Sequence, residues 1–201
     1  MNQFICKLWN QISVQPEKKK PWKPFLVKAG IVSTVTVISV GTACAAFSAR
    51  YEILIDPQMV KCLPDYTVYL VDRKDTTPVR GEPFAFKASG IAHYLDENDQ
   101  RLDEVRRYYE DGKKLLKIVD GMPGDKIQVR EDGVKVNGEV KGVPGLIHSK
   151  LLKMKKKDFE QDYVLEQNKY FFAGRTFDSF DSRYWGHVDG GQILGRAYPL
   201  F

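Results

Sequence analysis

Residues 115–125 read Leu115-Leu116-Lys117-Ile118-Val119-Asp120-Gly121-Met122-Pro123-Gly124-Asp125, and this stretch decides the fold class. A β-favouring run, Leu115–Val119, ends in a tight turn that the Pro and Gly enforce, because Pro presets one backbone angle and Gly accepts a conformation that other residues avoid. A second run, Lys126–Arg130, follows at once. Outward from this pair lie further short runs of the same kind: Thr67–Val71, Pro83–Lys87, Val134–Val136, Tyr163–Glu166, Tyr170–Ala173 and Gln192–Arg196. Turn signals at Arg80-Gly81, Glu131-Asp132-Gly133 and Asn137-Gly138 separate them, and the second of these, before Val134-Lys135-Val136, predicts a hairpin. The expected class is mainly β. His93–Gly112 differs, being charged and nearly free of Gly and Pro until Gly112. It predicts a short helical insertion, and its few apolar positions suggest a surface one. The basic run Lys150–Asp158 reads as a solvated face, with contact to anionic lipid as the sharper alternative.

The 201 residues hold 31 Lys+Arg and 26 Asp+Glu, a formal charge of +5. Lys7, Lys18, Lys19, Lys20, Lys23 and Lys28 against Glu17 alone place all of that charge in residues 1–28. The rest of the chain carries 25 basic and 25 acidic groups. A neutral body argues against a nucleic-acid partner, since phosphate binding needs basic charge gathered on the folded surface. The 21 residues from Ala29 to Ala49 carry no charge and, as a helix, would be long enough for a bilayer core. With the lysines on the N-terminal side, the positive-inside rule predicts residues 1–24 as a basic cytoplasmic tail, 25–49 as a single transmembrane anchor and 50–201 as a domain outside the cytoplasm. Ala43-Cys44-Ala45 offers a competing reading as the end of a cleaved signal peptide. Of three cysteines, Cys6 falls in the tail, Cys44 in the anchor, and only Cys62 in the exported part, so no intrachain disulfide is expected there.

Three segments carry chemistry: Cys62-Leu63-Pro64, the Lys117–Asp125 turn, and Ser179-Phe180-Asp181-Ser182-Arg183-Tyr184-Trp185-Gly186 with Gly195-Arg196-Ala197 behind it. Together they resemble the signal peptidase I superfamily, which has a Lys before a Val-Gly-x-Pro-Gly-Asp turn and a Ser-x-Asp-Ser-Arg-Tyr-Trp-Gly box. Here Asp120 stands in place of a usual Val. Val79-Arg80-Gly81-Glu82 with Phe84-Ala85-Phe86 is similar to the family's Arg-Gly-Asp strand, and Val136-Asn137-Gly138 to its hairpin. The short Cys62-Leu63-Pro64 region resembles most the conjugative-transfer, TraF-like branch.

That resemblance implies a membrane-anchored antiparallel β peptidase. Cys62 would be the nucleophile in the family's Ser position, Lys117 the proton acceptor and Ser179 the group that orients Lys117. Asp181 and Arg183 would be a structural ion pair, and Tyr184 and Trp185 core or interface aromatics. It implies no metal and no cofactor. Substrates would be exported precursors, pilin or other leader-bearing proteins, at the bacterial inner membrane with the domain in the periplasm, and conjugation-apparatus proteins would be partners. Cys62 and Lys117 are 55 residues apart, in the family order. A thiol beside an amine favours a thiolate–ammonium pair where a hydroxyl needs a neutral Lys, but burial opposes both charges, and the sequence leaves the two effects in balance. Val60 replaces a hydroxyl often found at the oxyanion hole, leaving the Cys62 backbone N–H as donor. A Cys62–His187 dyad is the rival within the chemistry. A catalytically silent assembly factor that keeps the fold is the rival outside it. His93 and His148 lack ligand-spaced companions.

Overall fold

The computed structural model describes residues 22–56, 62–150 and 152–201. Cys6, the lysines before Trp22, and Val60 lie outside the described residues. The chain falls into two units, Met1–Ala46 and Phe47–Phe201.

Helix α1 runs from Trp22 to Arg50 with every residue exposed, and by length and composition it could cross a membrane. It contains the expected anchor, 25–49. Its many β-branched residues do not prevent helix, because Thr34, Thr36 and Thr42 each donate their hydroxyl to the carbonyl four residues back, at 2.8–2.9 Å. The polar side chains are thereby satisfied within the helix, as an apolar surrounding requires.

The second unit is mainly antiparallel β. Strands β1 (Tyr51–Ile55), β2 (Val68–Asp72), β3 (Pro83–Lys87), β4 (Lys114–Gly121), β9 (Lys169–Ala173), β10 (Val188–Asp189) and β11 (Ile193–Pro199) form one sheet in the order β1-β2-β11-β3-β4-β9-β10. Strands β5 (Lys126–Arg130), β6 (Gly133–Val136), β7 (Glu139–Lys141) and β8 (Gln161–Val164) form a second, ordered β7-β6-β5-β8. The predicted hairpin joins β5 to β6 through Glu131 and Asp132, and Asn137-Gly138 joins β6 to β7.

Strand β4 is central to the larger sheet, between β3 and β9. Leu115 and Val119 belong to the main core, with Phe84, Phe86, Phe171 and Phe172, whereas Leu116 joins a second cluster with Leu63, Tyr69, Val71, Ala85 and Ala197. Alternation along the strand therefore feeds both cores, and Lys117, on the same face as Leu115 and Val119, is buried. The turn after β4 follows its sequence signature: Gly124 has φ +88° and the Asp125 N–H reaches the Met122 carbonyl at 3.0 Å.

The His93–Gly112 segment needs a correction. It is partly helical, with α2 at Asp103–Tyr108 and single 3-10 turns at Ala92–Tyr94 and Gln100–Leu102. It is not a surface insertion: Leu95, Leu102 and Tyr109 are each less than 5% exposed and sit in the main core. Short helices with breaks between them aim a few well-separated apolar residues inward, where one continuous helix would need a full apolar stripe.

Candidate active site

Cys62 and Lys117 come together in the interior. Their residues are 6% and 2% exposed, and the Lys117 amine is hydrogen-bonded to the Cys62 side chain. Burial works against charge on Lys117, but the sulfur, the Tyr109 oxygen and Asp181 outweigh it, so the lysine is held well above its ordinary range and keeps its proton. Both residues line a cavity of about 20 Å³, together with Leu54, Ile55, Asp56, Tyr108 and Leu116. Tyr108 donates to an Asp56 carboxylate oxygen at 3.3 Å, so these two residues add to the polar lining that Lys114 and Lys117 also supply. His187 does not line the cavity; its nearest charged partner is Asp189, with Nε2 3.9 Å from Oδ1.

The box at 179–186 braces the pair from the side. Asp181 caps the four-residue helix α3 (Ser182–Trp185) and accepts from Arg183 Nε at 2.7 Å and Nη2 at 2.8 Å. Asp181 also accepts the Gly174 N–H at 3.0 Å. Arg183 spends its remaining donors on the carbonyls of Val143, Gly145 and Ser179, all within 3.0 Å. An ion pair this deeply buried survives only because nearly every lone pair and N–H has a partner. Ser182 Oγ accepts from Phe172 N–H on β9, while Phe180, Tyr184, Trp185 and Tyr109 form an aromatic cluster behind the site.

Ser179 departs from expectation. It is 1% exposed and close to Cys62, but its Oγ has no hydrogen-bond partner, so the expected bond to Lys117 is not formed. The cause is local. Its hydroxyl faces the α-carbon of Gly174, where any Cβ would collide with Ser179 Oγ and sit 3.2 Å from the Cys62 carbonyl oxygen. Gly174 is thus required by close approach, which sequence reading did not single out.

Sequence reading also missed Arg175 and the role of Asp120. Arg175 donates its backbone N–H to the Cys62 carbonyl at 2.7 Å, and its guanidinium makes two bonds to Asp120, at 2.7 and 2.8 Å. Asp120 occupies a bulge in the β4–β9 pairing, between Val119 and Gly121. Arg80 reaches the same place, bonding the Asp120 carbonyl at 2.5 Å and Asp125 at 2.6 Å. Among the described residues no group of His, Cys, Asp and Glu could hold a metal ion.

The antiparallel β unit thus brings a buried amine and a buried thiol together next to the 179–186 box. The family model for "Signal peptidase, peptidase S26" matches residues 26–201, and the chain belongs to that family. It is 28% identical over 182 residues, 86% of this chain and 95% of the relative, to "Signal peptidase I V" of Bacillus subtilis (strain 168). It is 28% identical over 87 residues, 43% of this chain and 38% of the relative, to "Probable signal peptidase I-2" of a Synechocystis strain. A crystal structure of a signal peptidase I from Enterococcus faecalis V583 covers 60% of this chain and 96% of its own, at 22% identity and a TM-score of 0.35. The protein is a signal peptidase I-like peptidase.

Proposed function

We propose that the chain is a membrane-anchored endopeptidase that processes exported precursor proteins at the outer face of the bacterial inner membrane, with Cys62 as nucleophile and Lys117 as its proton-transfer partner. The observation that carries this is the buried hydrogen bond between the Cys62 side chain and the Lys117 amine, at the wall of a recess that opens beside β1 and β4. Cys62 Sγ, as thiolate, attacks the scissile carbonyl carbon. The oxyanion so formed takes the Cys62 backbone N–H. Collapse breaks the C–N bond, and the Lys117 ammonium gives its proton to the departing amine. Neutral Lys117 then takes a proton from water as that water attacks the thioester, which releases the acid and restores thiolate and ammonium. A second amine in place of water would join two peptide ends instead. Ser179 Oγ, buried without a partner, is available to Lys117 as the amine loses and regains its proton. Asp181 and Arg183 hold the frame.

The charge in residues 1–28 supports a cytoplasmic tail (1–24), an anchor (25–49) and a periplasmic domain (50–201). The brevity of Cys62-Leu63-Pro64, with β2 beginning only at Val68, supports the conjugative TraF-like branch, with pilin as substrate and proteins of a conjugation apparatus as partners. The unpartnered Ser179 hydroxyl also favours a second reading, a silent assembly factor that retains the fold.

Co-expression with a pilin precursor separates the two. Wild type processes the precursor, Cys62→Ala and Lys117→Ala do not, and Cys62→Ser retains activity; precursor and product are measured by mass. If all four proteins leave the precursor in the same state, the peptidase reading fails and the assembly role stands.

A further inference from the structure

We propose that Asp120 and Arg175 are positioning residues that set the placement of Cys62 relative to Lys117; this rests on the reading of Cys62 as nucleophile. Arg175 is gripped at both ends. Its backbone N–H holds the Cys62 carbonyl at 2.7 Å, and its guanidinium is held by the Asp120 carboxylate at 2.7 and 2.8 Å. Asp120 is 3% exposed and lies on β4, the strand that carries Lys117. Three residues of strand, about 10 Å, separate the two, so the carboxylate and the amine move as one rigid piece. The bulge at Asp120 frees its side chain from the regular alternation and turns it toward Arg175. Arg80 fixes the other side of the bulge through the Asp120 carbonyl at 2.5 Å.

The consequence is geometric. A hydrogen bond to the Cys62 carbonyl fixes the Cys62–Leu63 peptide, and through the α-carbon that this peptide shares with the side chain it restrains where the sulfur can sit. Arg183 cannot replace this grip, because its donors are committed to Asp181 and to the 143–145 and 179 carbonyls. A planar fork on a buried carboxylate is the strongest and most directional form such a tether can take. Misplacement of a reacting atom by about 1 Å costs on the order of a hundredfold in rate, so a loosened tether lowers turnover and leaves substrate binding in place.

Two measurements on the full chain in detergent test this. Amide hydrogen exchange reads the tether with no substrate present. In Asp120→Asn the Arg175 amide exchanges at least tenfold faster, while the Phe86 amide on β3 keeps its wild-type rate. Arg175→Lys, which keeps a charge but loses the fork, does the same and serves if Asp120→Asn fails to fold. In precursor processing both variants lower kcat tenfold to a hundredfold, with KM within twofold. Unchanged exchange at Arg175, or a loss carried by KM, overturns the proposal. Faster exchange in the variants of a chain whose wild type cleaves no precursor leaves the tether standing and removes the peptidase reading instead.

Discussion

Lys117 shows what an active site costs at the level of one side chain. Its amine sits in the interior with a charge that burial opposes and that the Cys62 sulfur sustains. Buried ion pairs are weak stabilisers, and replacing one with apolar atoms of similar volume is often neutral or favourable by about 1–4 kcal/mol. Met has an unbranched side chain close to the length of Lys, and it packs well against sulfur and apolar neighbours. Lys117→Met is therefore expected to abolish processing and to hold or raise the free energy of unfolding, by about 1–2 kcal/mol, in denaturant titration. A drop of several kcal/mol would mean that the amine serves the architecture. The sequence announced Lys117 through the turn that follows it, and Cys62 through its place in the family order before Lys117. It did not announce the Asp120–Arg175 fork, whose partners are also 55 residues apart and of which only Asp120 lies in a motif, as a departure from it. The one visible sign was a carboxylate in place of the usual Val of the turn motif. Gly174 gave no sign at all, since its requirement comes from Ser179 and Cys62 approaching through space.

The turn between β4 and β5 is the element on which the site depends, and Asp125 is its keystone. This carboxylate accepts from the Met122 N–H at 2.6 Å, Arg80 Nη2 at 2.6 Å and Asn137 Nδ2 at 2.7 Å, so it ties the turn to the loop before β3 and to the β6–β7 hairpin. Burial opposes its charge, yet these three donors prevail and hold its carboxyl below the usual range. Its stabilising contribution is therefore present above the ordinary carboxylate range and is lost as pH falls through its depressed folded value. Asp125→Ala orphans all three donors and is expected to cost about 2–4 kcal/mol, read as a shift in the denaturant midpoint without a change in slope. At this scale the turns were the legible part, because Pro, Gly and Asn have local reasons for their positions. Three short strands went unread. β1 follows the helix with no turn between them, β7 has only three residues, and β10 only two; their pairing comes from neighbours rather than from any periodicity of their own. The same cause explains the misread 93–112 segment, whose inward residues are fixed by the sheet they cover.

Over the whole molecule, the charge sorts by unit: the surplus belongs to the first 28 residues and the body is balanced, so pH acts on the folded unit through particular groups and not through net repulsion. His148 is the one that acts near neutrality. Its Nε2 lies 2.7 Å from the Asp178 carbonyl oxygen, and its ring packs edge-on against Phe180 and Tyr184. Burial lowers its pKa first of all; the Asp178 carbonyl bond raises it, Arg183 lowers it further, and Asp181 and Asp178 partly offset that. The sign follows from a histidine kept neutral in the fold. Above its ordinary value of 6.5 it is neutral whether folded or unfolded and contributes no pH dependence. Below that value the unfolded chain gains a proton that the folded chain refuses, so stability falls as pH drops from about 6.5 toward the depressed folded value. The carboxylates held low by partners, such as Asp125, Asp162 and Glu166, begin to weaken the fold only below the ordinary carboxylate range, 3.8 for Asp and 4.5 for Glu. The interval between pH 6.5 and about 5 therefore belongs to His148. The melting temperature of the wild-type chain is expected to decline across it, and that of His148→Phe, which keeps the ring packing and cannot titrate, to stay level. Equal decline in the two proteins would assign the effect to another group.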